Sequence, residues 1–272
     1  MANLIISRVC NGECPYCFAL ETLHPPSTDP AQRFIGPEAF EGRLDWLERS
    51  GIRQVRLLGG EPTLHPHFPV LVARAAQREK QLLVFSHGWM PEPALQALEA
   101  LPPKRCRVII NMNARLPGGD QEATEVRRRA VFRRLGERAQ PGYSICGRKF
   151  QMQFLIPLIL ETGCRKAIRL GLAQPTLAGT NAHLLPKHYR QVGAQIASFA
   201  EAAAEAGIVL EFDCGFVRCM FSESELKTLH AAHTDVGWRC NPVLDVDLDG
   251  RVFHCFPLAE RFSAHLGEGR DA

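Results

Sequence analysis

Six short apolar runs, at residues 4–9, 54–58, 82–86, 106–112, 143–146 and 167–172, recur along the chain with helical stretches between them. This alternation is the pattern of repeated βα units. The runs look buried rather than strictly alternating, as expected of parallel strands covered on both faces. Between them, Pro37 opens a helix that carries Phe40, Leu44 and Leu47 on one face, and Phe68, Leu71, Val72, Ala75 and Ala76 mark the next. Tyr189, Val192, Ile196, Phe199 and Ala203 outline a long helix that Gly207 ends. Between 150 and 162, Pro157 is expected to kink or start a helix. At about 30 residues per unit, six units take roughly 180 residues. They therefore reach to about Gly207, and 208–272 remains as a small module. That module opens with the run 208–212 and holds a hairpin at 243–253, turning at Asp249-Gly250 in a type I′ geometry.

Composition narrows the function. The 272 residues are 46% apolar and 22% charged with a net charge of +3, which excludes disorder and gives no electrostatic footprint for nucleic acid or an anionic membrane. No apolar run approaches the roughly 18 residues of a membrane span. The start Met1-Ala2-Asn3-Leu4 lacks the basic region and apolar core of a signal peptide, so a cytoplasmic location is expected. Arg127, Arg128, Arg129, Arg133 and Arg134 on the stretch 122–138 are interleaved with Glu122, Glu125 and Glu137, the mixture of a solvated outer helix face. Read instead as an RNA-binding strip, they predict salt-sensitive RNA binding.

The ten cysteines cluster, with three between 10 and 17 and four between 214 and 255. In a chain this long without an export signal, clustering points to metal ligation rather than disulfides. Cys10-Asn11-Gly12-Glu13-Cys14-Pro15-Tyr16-Cys17 follows directly on the first strand. Three thiolates in one short loop suit three irons of a cubane and leave the fourth without a protein ligand. No ferredoxin-like continuation or zinc-knuckle pairing follows, and His24, before Pro25-Pro26, reads as a surface loop residue. The second strand runs into Gly59-Gly60-Glu61-Pro62. There the glycines permit close backbone approach, Glu61 offers an acceptor for an ammonium group, and Pro62 directs the chain into the next helix.

Together, the Cys-x3-Cys-x2-Cys loop with Tyr16 before its last cysteine and the Gly-Gly-Glu-Pro segment one βα unit later resemble the radical S-adenosylmethionine (radical SAM) superfamily. The resemblance implies a partial (β/α)6 TIM-like barrel over 1–207, in an α/β fold with a small cysteine-rich α+β extension over 208–272. It implies a [4Fe–4S] cluster held by Cys10, Cys14 and Cys17, and SAM on the fourth iron, with Gly59, Gly60, Glu61 and Pro62 at its methionine amino group. Ser86-His87-Gly88 resembles a segment that usually reads Ser/Thr-Asn-Gly and holds the methionine carboxylate, with His87 in place of asparagine. Asn111 and Asn113 are candidates for the ribose hydroxyls or, equally, loop-capping residues, and Arg169 is a candidate for a further nucleoside contact or a structural ion-pair partner at the rim. The cysteine loop, Glu61, Ser86 and Asn113 all fall at C-terminal strand ends, where barrels carry function.

Cys214, Cys219, Cys240 and Cys255 resemble the opening of a SPASM/twitch extension, which holds an auxiliary [4Fe–4S] cluster on peptide-modifying members of the superfamily. The dense cysteine set of a full SPASM module does not follow Cys255, so either the shorter twitch type or an early end of the chain is expected. A zinc site or free thiols are the alternatives for these four. Asp245, Asp247 and Asp249 imitate a calcium loop, but Phe256 occupies the position of its bidentate glutamate. Cys106, Cys146 and Cys164 read as packing residues, with Cys146 the one placed to face a substrate cavity. The activity implied is reductive cleavage of SAM to a 5′-deoxyadenosyl radical that abstracts hydrogen from a peptide, a ribosomally made precursor or a small molecule. A reductant such as flavodoxin or ferredoxin is then a partner. The rival is a non-catalytic iron–sulfur electron carrier or a structural zinc protein.

Overall fold

The computed structural model describes residues 1–272 except 22, 24–26, 117–120, 177, 235, 237, 239–242, 260 and 267–272. His24 and Cys240 lie outside the described residues. Seven parallel strands, β1 (Ala2–Ser7), β2 (Gln54–Gly59), β3 (Gln81–Ser86), β4 (Cys106–Asn111), β5 (Ala139–Ile145), β6 (Ala167–Leu172) and β7 (Val209–Phe212), pair in sequence order. On the other side of β1 lie β8 (Leu244–Val246), parallel to it, and then the antiparallel β9 (Arg251–Phe253) and β10 (Ser263–His265). The single sheet runs β10-β9-β8-β1-β2-β3-β4-β5-β6-β7, a partial TIM-like barrel whose described edges are β10 and β7. The run at 208–212 is thus the seventh parallel strand, and the sheet continues across position 207.

Helices α1 (Pro30–Arg33), α2 (Pro37–Arg49), α3 (Phe68–Gln77), α4 (Glu92–Glu99), α5 (Gln121–Leu135), α6 (Leu155–Thr162), α7 (Tyr189–Glu205) and α8 (Glu223–Ala231) complete the fold. The helices cover one face of the sheet, where Val55, Leu57, Val84, Val108, Ile110, Ile168 and Leu170 are buried against them. Phe40, Leu44 and Leu47 of α2 are fully buried as their spacing predicts, each stabilising the fold by about 1.5–3 kcal/mol. The inner face carries half-buried polar groups, among them Arg56, Arg107, Asn111, Ser144 and Arg169. That difference between faces is what leaves the inside of the barrel open to chemistry.

Local rules account for the boundaries. Pro157 is the third residue of α6, within the first turn, where an amide hydrogen has no intrahelical acceptor and its loss costs little. Gly163 and Gly207 take the left-handed conformation just after α6 and α7. β5 begins four residues earlier than its apolar run suggests, because Pro141-Gly142, which reads as a break, is carried inside the strand. Gly142 is required there, since a Cβ would stand 2.8 Å from Ile109 Cγ2.

The hairpin at 243–253 forms, but its turn is not type I′. Of the turn residues only Gly250 has a positive φ, at 90°, whereas type I′ needs positive φ at both central positions. Gly250 N donates to Asp247 O at 3.0 Å and Asp247 N to Arg251 O at 2.8 Å, closing a three-residue loop on the glycine. Arg8 Nη2 reaches the buried Asp247 at 2.7 Å, which fastens this turn to the segment that leads into the cysteine loop. No described helix is long and apolar enough to cross a membrane.

Candidate functional site

Three sequence segments meet at the C-terminal ends of β1, β2 and β3. Gly60 N donates to Ser7 O and Glu61 N to Val9 O, both at 2.8 Å, so the end of β2 lies hard against the stem of the cysteine loop. A Cβ on Gly59 would stand 2.2 Å from Ser7 O, and one on Gly60 2.4 Å from Val9 O and 2.8 Å from Cys10 Cβ. The two glycines therefore serve the approach of one backbone to another.

Glu61 is 1% exposed and its carboxylate is well supplied with donors. Oε1 accepts from Thr63 Oγ1 at 2.6 Å and Thr63 N at 3.2 Å, and Oε2 from His87 N at 2.9 Å. His87 Nδ1 accepts from Trp89 N at 3.0 Å, which leaves the proton on Nε2. Nε2 then donates to Asn11 Oδ1 at 2.7 Å and lies 3.3 Å from Glu61 Oε2. His87 thus joins the cysteine loop, the glutamate and the end of β3 through one ring. The sequence reading singled out the replacement of asparagine here but not this role. Ser86 Oγ accepts from Gly88 N at 3.0 Å and shapes the same turn.

In the cysteine loop, Gly12 N donates to Cys10 Sγ at 3.2 Å and Cys17 N to Cys14 O at 3.1 Å. Burial pushes the Cys10 thiol up to about 12, opposed by the Gly12 amide and reinforced by Glu61, Cys14 and Cys17. Burial likewise raises Cys17 to about 11, against the amide of Ala19. Three soft, mutually repelling sulfur donors of this kind call for a cation, whose charge would reverse the shifts. Three thiols on one loop suit a multi-iron cluster.

Tyr16 is buried, its phenol held well above the usual range by that burial and then by Cys14, and its hydroxyl accepts from Asn111 Nδ2 at 3.0 Å. Asn111 Oδ1 is buried without a partner, an orphaned acceptor that fits a hydroxyl-bearing ligand such as the ribose of SAM. Asn113 is committed elsewhere. Its side chain donates to Ser144 O at 2.8 Å and accepts from Ser144 N at 3.0 Å, splicing the end of β4 to β5. Arg169 is ion-paired to Asp213 and stacks 4.7 Å from the Phe85 ring. Pro62 and Thr63 are buried in the short helical turn after β2, which Glu61 caps.

Cys214, Cys219 and Cys255 are exposed. Cys106 and Cys164 are buried, in keeping with packing roles, and Cys146 at the end of β5 is half-buried, its thiol raised by burial and within electrostatic reach of Cys14. The expectation of a solvated arginine face on α5 holds for Arg129, paired with Glu161, and for Arg134, paired with Glu92 and Glu99. It fails for Arg128, which is 3% exposed. The charged pattern concealed this because Arg128 turns inward to backbone carbonyls rather than to acids.

Residues 4–134 match the Radical SAM superfamily. The GTP 3′,8-cyclase of Aquifex aeolicus (strain VF5) is 27% identical over 108 residues, covering 38% of this chain and 32% of that protein. The GTP 3′,8-cyclase of Xanthomonas axonopodis pv. citri (strain 306) is 26% identical over 148 residues, 53% of this chain and 40% of that one. Streptococcus suis SuiB, in the crystal structure bound to precursor peptide SuiA, superimposes with a TM-score of 0.70 at 12% identity, over 97% of this chain and 61% of SuiB. The SAM-bound form of SuiB gives 0.69. The match to the radical SAM superfamily takes in a little under half of this chain, and that superfamily implies a [4Fe–4S] cluster and SAM. It spans between about a fifth and two fifths of the curated relatives it matches.

Proposed function

We propose that this protein is a radical SAM enzyme in which Cys10, Cys14 and Cys17 hold a [4Fe–4S] cluster and SAM occupies the remaining iron. When bound, the cluster and SAM supply reductive cleavage to methionine and a 5′-deoxyadenosyl radical, which abstracts hydrogen from a substrate. The observation that carries this reading is the interlock of Cys10, Gly60, Glu61 and His87 at one end of the sheet. A passive electron carrier or zinc protein needs no such assembly around an acceptor carboxylate.

The chain's own residues would act by positioning. Gly59 and Gly60 bring the backbone of β2 beside the cysteine loop, Glu61 and Pro62 fix the turn facing the methionine end, and Ser86 shapes the end of β3. Tyr16 and Asn111 would meet the nucleoside, with Asn111 Oδ1 as acceptor, while Asn113 and Arg169 shape the rim around it. Cys214, Cys219, Cys240 and Cys255 are assigned to an auxiliary [4Fe–4S] cluster on a twitch-like segment, 208–272, that follows a core of 1–207.

The substrate proposed is a peptide or ribosomally made precursor. Support comes from the fold shared over 97% of the chain with SuiB, a protein solved with a precursor peptide. Electrons would come from a flavodoxin- or ferredoxin-like donor. The test is anaerobic purification, reconstitution with iron and sulfide, and incubation with dithionite and SAM. Formation of 5′-deoxyadenosine dependent on all three loop cysteines is expected. A colourless, zinc-loaded protein inert toward SAM would overturn the reading.

A further inference from the structure

Arg128, on α5, directs its hydrogen bonds to backbone carbonyls. Nε donates to His87 O at 2.9 Å, Nη1 to Met112 O at 3.3 Å and Nη2 to Ala114 O at 2.9 Å. These carbonyls belong to two segments, one leaving β3 and one leaving β4. The second segment touches the cysteine loop directly, because Glu13 N donates to Arg115 O at 2.9 Å and a Cβ on Gly12 would stand 3.2 Å from the same oxygen. The first carries His87, which holds Glu61 and Asn11. One side chain therefore braces both segments that flank the cysteines.

Space is reserved for it. Gly88 has φ of 84°, and a Cβ there would press on Ile110 Cγ2 at 2.7 Å and Arg128 Cγ at 3.3 Å. The neighbouring Arg127 braces the same segment from outside, with Nη2 on Met90 O at 2.9 Å and its guanidinium 4.2 Å from the Trp89 ring. The charge of Arg128 is poorly compensated. Glu125, one turn earlier, approaches only to 3.7 Å and its side chain is 42% exposed. Arg128 Nη2 is held by Ala114 O, one residue before the Arg115 carbonyl that receives Glu13 N of the cysteine loop. A buried cation beside that loop stabilises extra negative charge there.

We propose that Arg128 is a positioning residue for the reductive step, its fork setting the ends of β3 and β4 against the cysteine loop and its charge drawing the cluster's reduction potential upward. The inference rests on the radical SAM reading above. A lysine in its place keeps the charge but loses the planar fork, and a methionine loses both.

The test is a redox titration of the reconstituted Arg128→Met and Arg128→Lys proteins followed by electron paramagnetic resonance, with SAM affinity read from the SAM-dependent change in the same signal. Arg128→Met should titrate at a more negative potential than wild type, and Arg128→Lys close to wild type. Both should bind SAM about tenfold more weakly, the loss expected when charge-assisted hydrogen bonds go. An unshifted potential in Arg128→Met, or wild-type SAM affinity in either variant, overturns the proposal. If Arg128→Met does not fold, the lysine variant decides on affinity alone. Absence of any SAM-dependent signal in the wild type would instead sink the radical SAM reading itself.

Discussion

Replacing Gly60 with alanine isolates the backbone junction on which the site is built. The added Cβ would lie 2.4 Å from Val9 O, 2.6 Å from Val9 C and 2.8 Å from Cys10 Cβ. Two of these are main-chain atoms on the stem of the cysteine loop, so no rotamer change relieves the overlap. Gly60 is absent from the positive-φ glycines, so the penalty is steric rather than conformational. Overpacking of this kind costs about 1–3 kcal/mol. For a chain this size that is a fall in Tm of roughly 2–12 °C, at about 2–4 °C per kcal/mol. Gly42, on α2 with nothing within 4 Å of an added Cβ, is the internal control. Gly42→Ala should stabilise by about 0.5–1 kcal/mol, because alanine is the better helix former. Circular dichroism melts and iron content after reconstitution read both effects. Gly60→Ala should melt lower and bind less iron, since the displaced atoms include the first cysteine. Wild-type melting and iron content in Gly60→Ala would refute the steric argument.

Other substitutions probe the polar network and its charges. Glu61→Gln turns one carboxylate oxygen into a donor facing either His87 N or Thr63, and should cost about 1–3 kcal/mol in urea unfolding; unchanged stability would mean these bonds contribute nothing. Asp245 is raised from 3.8 to about 6 by burial, opposed by the Asn3 amide. Its folded form holds a proton that the unfolded form releases, so its contribution is fully present below about pH 3.8 and lost as pH rises through about 6. Asp245→Asn should therefore gain on wild type by about 2 kcal/mol between pH 4 and 7, measured as the difference in urea unfolding free energy; a constant difference would refute the shift. Raised Cys10 and Cys17 thiols predict that metal loading at pH 8 releases about two protons from these positions. Calorimetry in buffers of different ionisation enthalpy measures this, and no dependence on buffer would contradict it.

Much of the fold was legible because parallel strands buried under helices leave mainly apolar runs, and all six runs became strands. β5 extends upstream of its apolar run through Pro141-Gly142, whose composition suits a turn, and the proximity of Ile109 accounts for the glycine. The turn at Asp249-Gly250 was read from its dipeptide, whereas the paired ends at Asp247 and Arg251 decide the loop length. In the site, the cysteine spacing and the Gly-Gly-Glu-Pro segment pointed to each other, since each is a local pattern. Arg128 did not show, because its acceptors are carbonyls 14 to 41 residues away and carbonyls have no sequence signature. Asn113 takes the capping role that its position also allowed, bonded to the backbone of Ser144.

The central claim is a coordination position on iron left open by three cysteines and filled by SAM. Electron paramagnetic resonance of the anaerobically reduced protein, with and without SAM labelled with nitrogen-15 at the amine, addresses it directly. The account predicts a changed cluster signal on adding SAM and a hyperfine coupling from the labelled nitrogen. An identical spectrum in both samples, with no coupling, would contradict it.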